Sequence, residues 1–337
     1  MQLSSTILLS VLASLSSITS AAPVDKRDSK SLKLDFNVQR LPSNATDAIG
    51  ARKSIYSAIN LNLQNEYSKY MAEIQMGTPG QTIHVDVDTG SSDLWVPAVG
   101  TKSTGGTYDA SKSNTYKKVS NGFMIGYGDG SKAFGDWATE DVTVGGATVK
   151  DMQFGYATNQ TVGTGLLGVG FEGNEAPVAI NGSSFEYPNF PAQLKAQGII
   201  EKNAYSLYLN SLEADSGSIL FGAVDKAKFD GDLKYLDLVN IDDEGQATDS
   251  PVAFFVDLDT VSTSSQTFTN GTTYPALLDS GTTLIYAPGE IATTFGKKYG
   301  HKIPYLDMYL TACRTKGQPV EFTFVDKTIT VPFKDWL

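Results

Sequence analysis

The sequence predicts an all-β chain folded as two lobes, and three observations predict it. Short runs rich in Val, Thr, Tyr and Phe are broken every few residues by Gly, Asn or Asp, and few stretches have helical period. Two acidic runs, Asp88-Thr89-Gly90 and Asp279-Ser280-Gly281, stand 191 residues apart, each after an apolar stretch, Ile83 to Val87 and Ala276 to Leu278. The 337 residues suffice for two hydrophobic cores, one behind each acidic run.

Residues 1–22 carry an apolar stretch, Ile7 to Ile18, and end in small residues, Ser20-Ala21-Ala22, the pattern of a secretory signal peptide, although no Lys or Arg precedes it. Serines interrupt that stretch and no later segment reaches about 18 apolar residues, so no membrane span is expected. The dibasic pairs Lys26-Arg27 and Arg52-Lys53 are processing candidates that bracket a propeptide, residues 23–53. Residues 1–53 hold seven Lys or Arg against four Asp or Glu, a balance of +3, which leaves −14 on the remainder of a chain whose total is −11. Either the basic leader is held electrostatically on an acidic body and released as acid protonates it, or the charge serves solubility alone.

Strands are predicted at Tyr70 to Met76, Gln81 to Val87, Phe123 to Tyr127, Trp137 to Val144, Ala204 to Leu209, Ser218 to Phe221 and Phe254 to Val261. Gly77-Thr78-Pro79-Gly80 and Gly145-Gly146 punctuate them. Two helices are predicted, Phe190 to Gln197 stopped by Gly198, and Pro288 to Tyr299 stopped by Gly300. The boundary falls near Gly231 to Asn240, giving a first lobe of residues 54–235 and a second of 236–337. Four sequons, at Asn44, Asn159, Asn181 and Asn270, fit a secretory route, and Cys313 is the one cysteine, so no intrachain disulfide forms.

Several chemistries are disfavoured. His84, His301 and Cys313 are the whole supply of nitrogen and sulfur ligands, which argues against a metal hydrolase, although carboxylates remain able to take calcium. No Gly-x-Ser-x-Gly elbow is present for Ser-His catalysis. Glycosidases also use two carboxylates but do not need them in paired Asp-hydroxyl-Gly loops. The acidic balance argues against nucleic acid.

A single Asp-Thr-Gly is an ordinary turn; its recurrence after apolar strands is a pattern that needs another reading. The wider text, Val87-Asp88-Thr89-Gly90-Ser91-Ser92-Asp93-Leu94-Trp95-Val96-Pro97 and Leu278-Asp279-Ser280-Gly281-Thr282-Thr283, resembles the two active-site loops of pepsin-family aspartic proteases. Gly165-Leu166-Leu167-Gly168, Ile219 to Asp225, Phe190 to Leu194 and Asn203 to Leu209 are similar to further family segments, and they point to the fungal yapsins and candidapepsins. The resemblance runs from about Tyr67 to Leu337.

It implies a bilobal pepsin-like double β-barrel with the active site in a cleft between lobes, and a secreted, extracellular or cell-wall enzyme. That enzyme is a monomer without cofactor or metal that hydrolyses polypeptides at acid pH. Asp88 and Asp279 would share one proton and hold a water, as is known for this enzyme class, so that one acts as base and the other as acid. Thr89, Gly90, Ser91, Ser280, Gly281 and Thr282 would support the loops, with Ser91 and Thr282 as hydroxyl donors to the carboxylates. Phe123 to Ser131 resembles the flap, with Tyr127 covering the first pocket and its hydroxyl bonded to Trp95, followed by Gly128 and Asp129. Strand alternation puts Asp86 on the same face as Asp88, and fungal relatives with similar acids accept Lys or Arg before the scissile bond; the bland reading of Asp86 and Asp129 is two solvated acids. Relatives continue past Leu337 through a second cysteine and another apolar-apolar-Gly segment. The second lobe is therefore expected to be incomplete, with Cys313 lacking a partner and Asp279 lacking the strand behind its loop. The alternative function is a noncatalytic, pseudogene-like product with this fold.

Overall fold

The computed structural model describes residues 7–9, 30–40, 68–177, 186–211, 214–282, 285–303, 308–311 and 315–333. Most of the expected signal peptide, both dibasic pairs, the sequons at Asn44 and Asn181, Thr283 and Cys313 lie outside them. Internal packing divides the chain into two units. The first comprises Ala21–Leu209 and Ala214–Phe229; the second comprises Met1–Ser20, Asn210–Glu213 and Asp230–Leu337.

In chain order the strands are β1 (Ile7–Leu9), β2 (Leu32–Arg40), β3 (Ser68–Met76), β4 (Gln81–Asp88), β5 (Leu94–Pro97), β6 (Lys117–Gly126), β7 (Lys132–Val144), β8 (Ala147–Gln160), β9 (Gly165–Gly168), β10 (Tyr205–Tyr208) and β11 (Ser216–Phe221). The second unit continues with β12 (Phe255–Leu258), β13 (Thr260–Thr263), β14 (Gln266–Thr267), β15 (Tyr274–Leu278), β16 (His301–Ile303), β17 (Met308–Leu310), β18 (Val320–Phe324) and β19 (Lys327–Val331). The fold is all-β, as the sequence predicts.

The first unit is one ten-stranded sheet in the order β10-β11-β2-β3-β4-β9-β5-β8-β7-β6, and β3 also pairs with β7. That extra pairing, Gln75 with Thr143 and Met76 with Val142, closes β3, β4, β9, β5, β8 and β7 into a six-stranded barrel. Alternation explains why the barrel closes inward. In β4 the Ile83, Val85 and Val87 side chains have no exposure, while Thr82 and His84 on the alternate positions at its start reach solvent, and each buried branched side chain contributes about 1.5–3 kcal/mol.

β2 comes from the stretch expected to be a propeptide, and it lies between β11 and β3, antiparallel to both. Leu32, Leu34 and Phe36 point into the core, with Lys33, Asp35 and Asn37 outward. Helix α1 (Phe190–Ala196) starts on Asn189, whose side chain accepts the Ala192 N–H, and carries Pro191 in its first turn, where a missing N–H is harmless.

The second unit holds three smaller sheets: β1-β15-β12, β14-β13-β18-β19 and β16-β17. Leu258, Val261, Phe268, Tyr274, Ile291 and Phe322 form its core beneath helix α2 (Gly289–Tyr299). β1 runs parallel to β15, Ile7 beside Ala276 and Leu9 beside Leu278, just as β9 runs parallel to β4. The strand expected to be missing beside β15 is thus supplied here by residues 7–9. Phe254 to Val261, predicted as one strand, is broken at Asp259, whose carboxylate accepts the Thr273 hydroxyl at 3.2 Å and the Val325 N–H at 2.8 Å.

Candidate active site

Asp88 is the last residue of β4 and is buried, at 4% exposure. One oxygen accepts the Gly90 N–H at 2.8 Å and the other accepts the Ser91 hydroxyl. The loop that follows is held from behind by β9 and the chain after it. Val169 N–H donates to Asp88 O at 2.9 Å, Gly168 N–H to Asp93 O at 3.0 Å, and Gly170 N–H to Ser91 O at 2.9 Å. Ser92 Oγ donates to Phe171 O at 2.6 Å, and Asn174 Nδ2 to Gly90 O at 3.2 Å. Gly168 is needed for this approach, because a Cβ there would stand 2.5 Å from Asp93 N and 2.6 Å from the Ser92 carbonyl carbon.

Asp279 follows β15 directly, in the second unit, and repeats the first half of this arrangement. Its carboxylate accepts the Gly281 N–H at 2.8 Å, the same two-residue reach as Asp88 to Gly90. The hydroxyl bond expected from Thr282 is not among the hydrogen bonds of the described residues, so the two loops differ there. Thr89 is buried, and Ser280, Gly281 and Thr282 are half-buried.

The hairpin of β6 and β7 carries Tyr127 at its tip, where Tyr127 N–H donates to Ser131 O and Gly130 N–H to Tyr127 O. Trp95 Nε1 donates to the Tyr127 hydroxyl oxygen at 2.7 Å. Burial, reinforced by the neighbouring Asp88 carboxylate, holds that hydroxyl well above the usual phenol range, so it stays protonated. Gly128 and Asp129 are exposed beyond it, and Asp129 accepts the Ser131 N–H at 2.7 Å. Asp86 is buried at 3% exposure, accepts the Tyr70 N–H at 3.0 Å, and lies 3.9 Å from Lys69 Nζ. The cation beside Asp86 in this structure is therefore one of the chain's own.

Sequence reasoning missed a group behind the loop. Asp93 has no exposure; it accepts the Tyr187 hydroxyl at 2.5 Å and the Ala176 N–H at 2.8 Å. Glu175, also without exposure, accepts the Tyr187 N–H at 2.9 Å. Asp93 stood inside the motif, but its partners lie 83 and 94 positions away, and no local signal announces them.

The model of the eukaryotic aspartyl protease family matches residues 69–337. The chain is 54% identical over its whole length to an acid protease of Saccharomycopsis fibuligera, spanning 87% of that protein. It is 38% identical to secreted aspartic protease 8 of Candida albicans, over 93% of this chain and 80% of that one. A probable aspartic-type endopeptidase OPSB of Trichophyton verrucosum is 39% identical over 82% of the chain, which spans 58% of that relative's length. Matched across four fifths of its length, with its two Asp-hydroxyl-Gly loops each at a strand end and each closed by a glycine N–H, the chain belongs to the eukaryotic aspartyl proteases, the pepsin family of aspartic-type endopeptidases.

Proposed function

We propose that this endopeptidase is secreted and hydrolyses polypeptides at acid pH, with Asp88 and Asp279 sharing one proton and activating a water between them. The observation that carries this reading is the equivalence of the two loops, in which each carboxylate accepts a glycine N–H at 2.8 Å. Two carboxylates brought within hydrogen-bond reach do not both ionise cheaply, so at acid pH the ionised one takes a proton from water. The protonated one then hydrogen-bonds the scissile carbonyl, as is known for this enzyme class. Tyr127, held by Trp95, closes over the peptide and excludes solvent. The secreted relatives support an extracellular site of action, and no described helix is long and apolar enough to cross a membrane. Replacing Asp88 or Asp279 by Asn abolishes cleavage in a folded protein; undiminished cleavage by both variants overturns the reading.

Two finer features belong to the same proposal. Residues 23–53 act as an inhibitory leader, the protein working as a monomer once they are removed; the support is β2, a strand built into the sheet of the first unit. The site also takes Lys or Arg before the scissile bond, with Asp129 at the exposed hairpin tip as the nearer partner for a substrate cation. Asp86 contributes once it exchanges Lys69 for substrate.

A further inference from the structure

Asn159 stands near the end of β8 in the sequon Asn159-Gln160-Thr161, with its side chain exposed. The two residues after it are tied down. Gln160 Nε2 donates to Lys102 O at 2.6 Å, Thr161 N–H donates to Lys132 O at 2.9 Å, and Lys132 N–H donates to the Thr161 hydroxyl oxygen at 3.0 Å. The Asn159 amide makes no hydrogen bond among the described residues, so its nitrogen is offered to solvent from a fixed frame.

Strand register decides what lies beside it. Asn159 pairs with Phe134 of β7, and Phe134 pairs with Met124 of β6. Paired residues put their side chains on one face, so the three form a row across three strands, about 10 Å long. The opposite face is core: Ala133 beside Phe134, and Phe123 and Ile125 on either side of Met124, are buried. Phe134 itself is 39% exposed and Met124 41%. Phe123, Trp137 and Phe154 on the same strands each pack against another ring, whereas Phe134 has no ring partner among the described residues. One exposed apolar side chain is ordinary, but this pair lies at β6, which ends its sheet and has no strand on its outer edge among the described residues. Apolar surface at an open edge invites pairing with another chain, and proteins cover such edges.

We propose that Asn159 carries an N-linked glycan whose first sugar packs on Phe134 and Met124 and closes this face of the β6–β7 hairpin to other chains. The inference rests on the reading that the protein is secreted, since the transfer takes place in the secretory lumen, from an oligosaccharide held on a lipid diphosphate. Asn159 Nδ2 forms a bond to C1 of N-acetylglucosamine, the C1–O bond to the diphosphate breaks, and the amide gives up one proton. Once the chain has folded, the register lays the sugar against Phe134. One face of a pyranose ring presents C–H groups, and the aromatic ring one strand away, about 5 Å, gives them an apolar seat.

Mapping tests the modification. The full chain carrying Asp88→Asn, which suppresses self-digestion, is made in a yeast host under its own leader, and its glycopeptides are read by mass spectrometry. Asn159 is found carrying N-acetylglucosamine. Asn270, the other described sequon, sits in a turn between the buried Phe268 and Tyr274 and is mapped beside it. Secreted protein with Asn159 bare overturns this inference alone, whereas a chain kept in the cell with neither position modified overturns it together with the secretory reading.

Packing is read in the same chain with Asn44→Gln, Asn181→Gln and Asn270→Gln, which leave one sequon. Phe134→Thr lowers its thermal midpoint by about 2–4 °C more than the same change does after Asn159→Gln has removed the glycan. Should Phe134→Thr fail to fold, enzymatic trimming supplies the reading: cutting back to one sugar leaves the midpoint in place, and removing that sugar lowers it by about 2–4 °C. In light scattering the Asn159→Gln chain self-associates where the glycosylated chain stays monomeric. Additive midpoint losses, a midpoint indifferent to the last sugar, or an Asn159→Gln chain as monomeric as its parent overturns the proposal.

Discussion

Trp95 and Tyr127 are joined by a 2.7 Å hydrogen bond from the indole N–H to the phenol oxygen, across 32 positions of chain. It ties the tip of a solvent-facing hairpin to the strand that leaves the catalytic loop. Tyr127→Phe leaves the indole N–H unsatisfied and unpins the tip, a loss of about 1–2 kcal/mol, or about tenfold in kcat/KM. Trp95→Phe removes the same bond, so the double variant falls less than the two single losses combined; fully additive losses in a peptide assay would show that the bond does not couple the tip to catalysis.

Gly168→Ala should be far more damaging than its size implies. The added methyl meets the backbone of Ser92 and Asp93 rather than a flexible side chain, so the loop must move. Overpacking of this kind costs about 1–3 kcal/mol, read in urea unfolding, and kcat falls with it because the displaced backbone carries Asp88. A variant with unaltered stability and turnover would contradict the close approach described for β9.

Specificity is tested with a matched peptide pair, Lys against norleucine before the scissile bond, near pH 5. Asp129→Thr lowers cleavage after Lys about tenfold and spares norleucine, since a charge-assisted contact is worth about 1.5–3 kcal/mol. Lys69→Met removes the cation 3.9 Å from Asp86 and raises the preference for Lys. Equal falls for both peptides in the first variant would mean that Asp129 is a solvated acid.

The β2 strand makes leader release a matter of unpairing. Phe36 is buried at 1% exposure and packs edge-on against Tyr70, ring centres 5.3 Å apart. Phe36→Ala costs about 3–5 kcal/mol of that seat, so the leader separates at higher pH and sooner after a cut at Lys53, whereas a cut at Arg27 leaves β2 attached to the body. Mass spectrometry of the secreted protein reads the new N-terminus, Asp28 or Ser54, and a time course reads the onset of activity. Full activity at neutral pH with the leader uncut would sink the inhibitory role.

Legibility in the sequence followed locality. The two Asp loops, the strands before them and both helices could be read because each signal lies within about a dozen residues: alternation, a cap, a stopping glycine. Residues 117–122 at the start of β6 are exposed throughout and are interrupted by irregular pairing between Lys118 and Ser120 and between Asn121 and Phe123, so no alternation marks them. Leu32 to Arg40 does alternate, Leu-Lys-Leu-Asp-Phe-Asn-Val-Gln-Arg, yet its place in the sheet depends on partners at 68–72 and 216–221. The break at Asp259 and the junction of Asp93 with Tyr187 are likewise products of tertiary contact. Thr282, assigned by analogy with Ser91, shows that a repeated motif does not guarantee a repeated bond.

The parallel pairing of β9 with β4 also sets a timetable for folding. Val85 aligns with Gly165 and Asp88 with Gly168, so the support of the first catalytic loop arrives from chain some eighty positions downstream. Local hairpins such as β7 with β8 close early, at small entropic loss, whereas this crossover has to wait for distant chain and for the barrel wall between. As the chain emerges from the ribosome, Asp88 is made long before it can be buried, and its carboxylate stays in water, unable to act, until β9 threads past it.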